Sequence, residues 1–129
     1  MRRGPDDIEW QKCKKEVARR DGGVCCFCKT MTPKERSLFF QSFGKADVPY
    51  HMLQVLDPAH RLTAGTNPDI MYDPDNVFQL CRVHHDRLDA YRDPITDEYI
   101  NKEKHDEYWE RIANTRKKPG GCELPEFFI

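Results

Sequence analysis

No run in the 129-residue sequence approaches the roughly 20 consecutive apolar residues needed to cross a bilayer. The opening residues, Met1-Arg2-Arg3-Gly4-Pro5-Asp6, have none of the apolar stretch of a signal peptide. The expectation is an intracellular, cytoplasmic protein without a membrane span. Apolar residues are scarce overall, at 38% against 33% charged. A core built from them is thin and benefits from a staple. No internal repeat is present, and the length is that of one domain. Net charge is almost absent too, at −1, but it is unevenly spread. Residues 1–46 carry +5, residues 47–96 carry −4 and residues 97–129 carry −2. A basic front third suits phosphates, and an acidic middle suits metal ions.

Cysteine, by contrast, is plentiful, with six residues. In a reducing compartment they argue for metal binding or spare thiols rather than disulfides. Cys25-x-x-Cys28 and Cys81-x-x-His84 are two chelating pairs, each separated by two residues. That spacing lets both side chains of a tight turn face one ion, and two such pairs complete a tetrahedral, structural zinc site. Cys26 is the alternative to Cys25, although Cys26-x-Cys28 is a tighter and less usual spacing. Cys13 and Cys122 read as ordinary thiols.

The pattern of apolar and turn residues predicts a helix over 6–20, with Trp10, Cys13 and Val17 on one face, ended by Asp21-Gly22-Gly23. Thr32-Pro33-Lys34-Glu35 has the form of a capping box with proline at the first helical position, opening a helix to about residue 43 that Gly44 closes. Residues 51–56 read as a strand leading into Asp57-Pro58-Ala59-His60, and residues 76–80 as a second strand after a polar loop over 63–75. A helix from 81 to about 91 stops at Asp93-Pro94. A last helix over 97–115, capped by Thr96 or Asp97, is anchored by Tyr108, Trp109 and Ile112. Tyr91, Trp109 and Phe43 read as core. The reading is an α+β domain over 1–115 with its core at about 21–92, followed by a tail over 116–129.

Three pieces of this chain occur in combination: Asp57-Pro58-Ala59-His60, Asn76, and Leu80-Cys81-Arg82-Val83-His84-His85. With the lead-in Trp10…Arg19-Arg20-Asp21…Cys25-x-x-Cys28, they resemble the HNH endonuclease family in a version common in bacteria and phages. The likeness covers about residues 10–92. It implies a small ββα-metal core with a structural zinc and flanking helices. The implied activity is hydrolysis of DNA phosphodiesters, leaving 5′-phosphate and 3′-hydroxyl ends. His60 takes the place of the general base, Asn76 that of the residue holding the loop or the base, and His85 that of a ligand to a catalytic Mg²⁺, Mn²⁺ or Ni²⁺.

The chemistry agrees with these roles. Cleavage needs a base for water and a cation for the charge on the leaving oxygen, and imidazole titrates close to neutrality. Adjacent helical residues point about 100° apart, so His84 can face the zinc while His85 faces a cleft. Many family members carry an acidic residue or a second His directly before the base, where this chain has Ala59. Asp57 and Asp89 are the candidates to replace that ligand. Arg61, Arg82 and Arg87, with Arg92, are candidate phosphate contacts. The competing reading is a non-catalytic zinc module that binds nucleic acid or protein. Leu124-x-x-Phe127-Phe128 in the tail resembles peptides that dock on sliding clamps, with Gly121 where a Gln is usual, which suggests a clamp or a phage assembly as partner.

Overall fold

The computed structural model describes residues 8–63 and 65–116. The tail motif, Cys122 and the start of the first helix at residue 6 lie outside the described residues. Helix α1 (Ile8–Asp21) buries Cys13 and Val17 against Val77, with Trp10 packed beside them. Its last residue, Asp21, is buried and accepts a hydrogen bond from the Gln79 backbone N–H at 2.8 Å. Gly22 and Gly23 follow with φ of +71° and +74°. Two successive left-handed residues are a conformation that glycine adopts without a Cβ clash.

The chain then makes the cysteine turn and enters α2 (Pro33–Gln41). The Thr32 hydroxyl accepts from the Glu35 N–H at 3.1 Å, and the Glu35 carboxylate accepts from the Thr32 N–H at 3.0 Å, as the capping-box pattern predicts. The expected strand over 51–56 is not formed. Pro49 instead starts a single helical turn, α3 (Tyr50–Leu53), and its carbonyl accepts from the Met52 and Leu53 N–H groups. Met52 and Leu53 are adjacent in sequence and both pack against the core. A half-exposed strand would send them to opposite faces, whereas a helical turn can turn both inward.

The strand comes later, as β1 (Leu56–His60), antiparallel to β2 (Val77–Cys81) in a two-stranded sheet. Pro58 lies in mid-strand opposite Gln79. Gln79 uses its backbone away from β1, donating to Asp21 and accepting from the Cys26 N–H at 2.8 Å. The Pro58–Gln79 pair is therefore a non-hydrogen-bonded one, and the missing proline N–H costs no ladder bond. Helix α4 (Arg82–Asp89) follows β2 directly, completing a ββα unit.

Helix α5 (Lys102–Ala113) begins later than residue 97. Asn101 is its cap, its side chain accepting from the Lys104 N–H at 2.8 Å. Thr96 is taken instead by a turn in which the Asp93 carboxylate accepts from the Ile95 and Thr96 N–H groups. The main core gathers Phe27, Phe39, Phe78, Leu80, Leu88, Trp109 and Ile112 between the ββα unit, α2 and α5. Among the described residues, no helix is long and apolar enough to cross a membrane.

Candidate metal centre and adjoining cleft

Three elements deliver one set of four donors. Cys25 and Cys28 come from the turn after the glycines, Cys81 ends β2 and caps α4, and His84 sits on the first turn of α4. Their ligand atoms all lie within 4.8 Å of one another. The Sγ atoms of Cys25, Cys28 and Cys81 stand 3.6, 3.5 and 3.3 Å from His84 Nδ1. A tetrahedron with Zn–S of about 2.3 Å and Zn–N of about 2.0 Å has edges of about 3.5 Å, so the donors fit such an ion. Three thiols and one imidazole fill four positions, which is the chemistry of a structural zinc with no site left open for substrate. Cys26 lies outside this set.

The surroundings fix His84. Its ring lies 4.7 Å from both the Phe27 and Phe39 rings, and its buried Nε2 has no hydrogen-bond partner. Nδ1 is thus the one ring atom turned to chemistry. Hydrogen bonds from the Cys25 and Cys28 thiols, with backbone N–H groups at the head of α4, hold the Cys81 thiol down at about 3. Cys28 is pushed the other way by its sulfur neighbours and by burial. Cys81 meets a cation already as thiolate, and Cys28 must release a proton to do so.

A second constellation lies at the far end of β1. His60 Nε2 is 2.8 Å from the Met71 carbonyl oxygen. That oxygen only accepts, so the ring proton resides on Nε2 and the lone pair on Nδ1. Trp10 stacks on the ring at 5.3 Å between centroids and 14° between planes, with the Lys14 ammonium 5.6 Å over the indole. Asn76 is buried and staples the loop that follows His60: Oδ1 accepts from the Leu62 N–H at 2.8 Å, and Nδ2 donates to the Leu62 carbonyl at 2.9 Å. A cleft of about 330 Å³ opens beside His60, walled by Arg61, Asn67, Asp89, Tyr91, Lys102 and His105 among others.

His85 is held between two carboxylates. Asp57 Oδ2 is 3.2 Å from Nδ1, and Asp89 Oδ2 is 3.4 Å from Nε2. The aspartates thus flank opposite nitrogens, and one ion on this imidazole has one of them as neighbour, not both. Asp57 is also forked by Arg82 at 3.1 and 3.2 Å. Burial alone would raise its carboxyl, but the hydrogen bonds from Arg82 and His85 outweigh that and hold it below the ordinary carboxylate range. Among the described residues, the cysteine–histidine set is the one group of three or more His, Cys, Asp or Glu side chains whose donor atoms converge in this way. His85 and its aspartates do not form a second.

Two expectations fail on burial. Arg87 is not at the surface for a phosphate. It is 7% exposed, donates to the Pro94 carbonyl and the Ser42 hydroxyl at 3.0 Å each, pairs with Asp97, and lies over the Phe39 and Phe43 rings. A long side chain can carry its charge inward when every donor finds a partner. Tyr91 is not core: it is 40% exposed and stacks on His105. Its backbone is left-handed, at φ +56°. Arg61 pairs with Glu110, and Arg92 donates to the Asp97 carbonyl and to the Tyr99 hydroxyl. Trp10, Met71 and His105 were not predicted as site residues. Trp10 is 50 positions from His60 in sequence, so local spacing carries no signal for that stack. Comparisons with protein-family models, with curated proteins and with solved structures found no match.

Proposed function

We propose that the chain is an HNH-type, metal-dependent endonuclease that nicks DNA, with His60 as general base. The observation that carries this reading is the His60 ring, fixed on one side by the Met71 carbonyl and on its face by Trp10, in the lining of an open cleft. Nδ1 takes a proton from water, the water oxygen bonds phosphorus, and the P–O3′ bond breaks; the departing 3′ oxygen takes a proton from solvent, leaving 5′-phosphate and 3′-hydroxyl ends. General-base assistance of this kind contributes on the order of 10²–10⁴ in rate. Asn76, by pinning Leu62, keeps the loop beside His60 in place.

Asp57 accepts from His85 Nδ1–H and so directs Nε2 toward Asp89, which shares the cleft with His60. This is how a carboxylate orients an imidazole for a metal. His85 Nε2 and Asp89 would hold a divalent ion, and its charge would neutralise the leaving oxygen. Plasmid nicking with and without added Mg²⁺, Mn²⁺ or Ni²⁺ tests the proposal. His60→Ala is expected to lose the activity at unchanged zinc content. A variant that cuts as fast as the parent removes His60 from the role.

Two observations favour a second reading, a zinc module that binds without cutting. Ala59 supplies no ligand and is buried, and no second convergent donor set exists among the described residues. DNA binding without nicking under every metal would establish that reading.

A further inference from the structure

Tyr91 pairs exposure with tight backbone restraint. Its ring lies flat on His105, 3.9 Å between centroids and 7° between planes, yet the residue is 40% exposed. Its backbone is left-handed at φ +56°, a conformation that bulky side chains rarely adopt. The conformation is held from both sides: the Tyr91 N–H donates to the Leu88 carbonyl at 3.1 Å, and its own carbonyl accepts from the Ile100 N–H at 3.0 Å. The same Leu88 carbonyl lies 2.9 Å from His105 Nε2. One oxygen therefore locks both the tyrosine backbone and the ring beneath it. Such restraint persists only where the surroundings impose it, and it tends to gather at ligand clamps.

We propose that the Tyr91–His105 pair is a stacking platform for an unpaired nucleobase of single-stranded DNA, set at the rim of the cleft that holds His60. This rests on the DNA-nicking reading and names the form of DNA that the site takes. One face of the tyrosine ring is covered by His105, and the exposed remainder borders the same cleft as His60, Asn67 and Lys102. A flat π-surface of this kind accepts any base, because each has a π-face to offer. A base inside a duplex has both faces stacked on its neighbours and cannot lie on the tyrosine. The site therefore selects strands whose bases are free to turn out.

The test is fluorescence anisotropy without added divalent ion, comparing a labelled single strand with its duplex. Tyr91→Asn removes the ring and suits a left-handed backbone, and Tyr91→Phe keeps the ring. Stacking on one aromatic side chain makes a difference of about tenfold or more in affinity. The ratio of single-strand to duplex affinity is expected to fall about tenfold in Tyr91→Asn and to hold in Tyr91→Phe. A strand of abasic sites should bind the parent as weakly as the intact strand binds Tyr91→Asn. An unchanged ratio in Tyr91→Asn, an equal fall in Tyr91→Phe, or no binding of single strands by the parent overturns the platform. The nuclease reading fails separately: Tyr91-dependent binding without nicking leaves the platform standing, and nicking with an unchanged ratio leaves only the nuclease.

Discussion

His85 shows how much a single residue's partners decide. Asp57 holds Nδ1 while itself neutralised by Arg82, and Asp89, far more exposed, stands before Nε2 in the His60 cleft. Two donors 3.4 Å apart are close to the edge of about 3 Å that cis ligands of a small divalent ion make. Asp89→Asn is therefore expected to raise the metal concentration for half-maximal cutting by about tenfold or more. One imidazole and one carboxylate should also work better with Mn²⁺ or Ni²⁺ than with Mg²⁺. A metal titration in which only Asp57→Asn shifts would put the ion on the Nδ1 side instead. At His60, the same logic makes Trp10 and Met71 part of the candidate site, since they set the ring's plane and its tautomer.

Among the elements, α5 is tied to α2 through one arginine. Arg111 donates to both Glu35 oxygens at 2.5 and 3.0 Å, to the Thr30 hydroxyl and carbonyl, and covers the Phe27 ring. The Arg111 hydrogen bonds hold the Glu35 carboxyl below its ordinary range despite burial, which acts the other way. A depressed folded value gives stability that is complete above the unfolded value of about 4.3 and lost as pH falls through the folded one. Glu35→Gln keeps the capping box and removes the charge together with one of the Arg111 hydrogen bonds. It should cost about 1–2 kcal/mol near neutral pH, after allowance for the pair's partial exposure. The gap between the urea midpoints of parent and variant should begin to close below a pH of about 4.3 and vanish only below the depressed folded value. A gap that persists in acid would mean that Glu35 acts through shape alone. The capping box that starts α2 was readable because its parts are three residues apart. The shift of the strand from 51–56 to Leu56–His60 was not. It depends on Gln79 spending its backbone on Asp21 and Cys26, a tertiary arrangement that makes Pro58 harmless.

Across the whole molecule, the candidate metal centre sits inside the core. His84 is enclosed by Phe27 and Phe39, Phe27 meets Tyr108 of α5, and Cys81 joins β2 to α4. The four donors were legible from spacing, because a chelating pair is a local event, and the structure brings those four together. The burial of Arg87 and the exposure of Tyr91 were not, because each depends on packing between distant segments. With so central a position, an ion would contribute folding free energy directly, as structural zinc does. One zinc per chain is expected by elemental analysis. Cys81→Ser should lose the ion and most of the cooperative unfolding transition, since it removes a buried sulfur ligand at the junction of β2 and α4. Because the Cys28 proton must leave for the ion to bind, affinity should fall as the solution is acidified. Zinc affinity measured by competition, after allowance for the chelator's own protonation, should accordingly be weaker in mild acid than at neutral pH. A zinc-free preparation with the same unfolding midpoint as the loaded one would show that the aromatic packing around His84 holds the core without the metal.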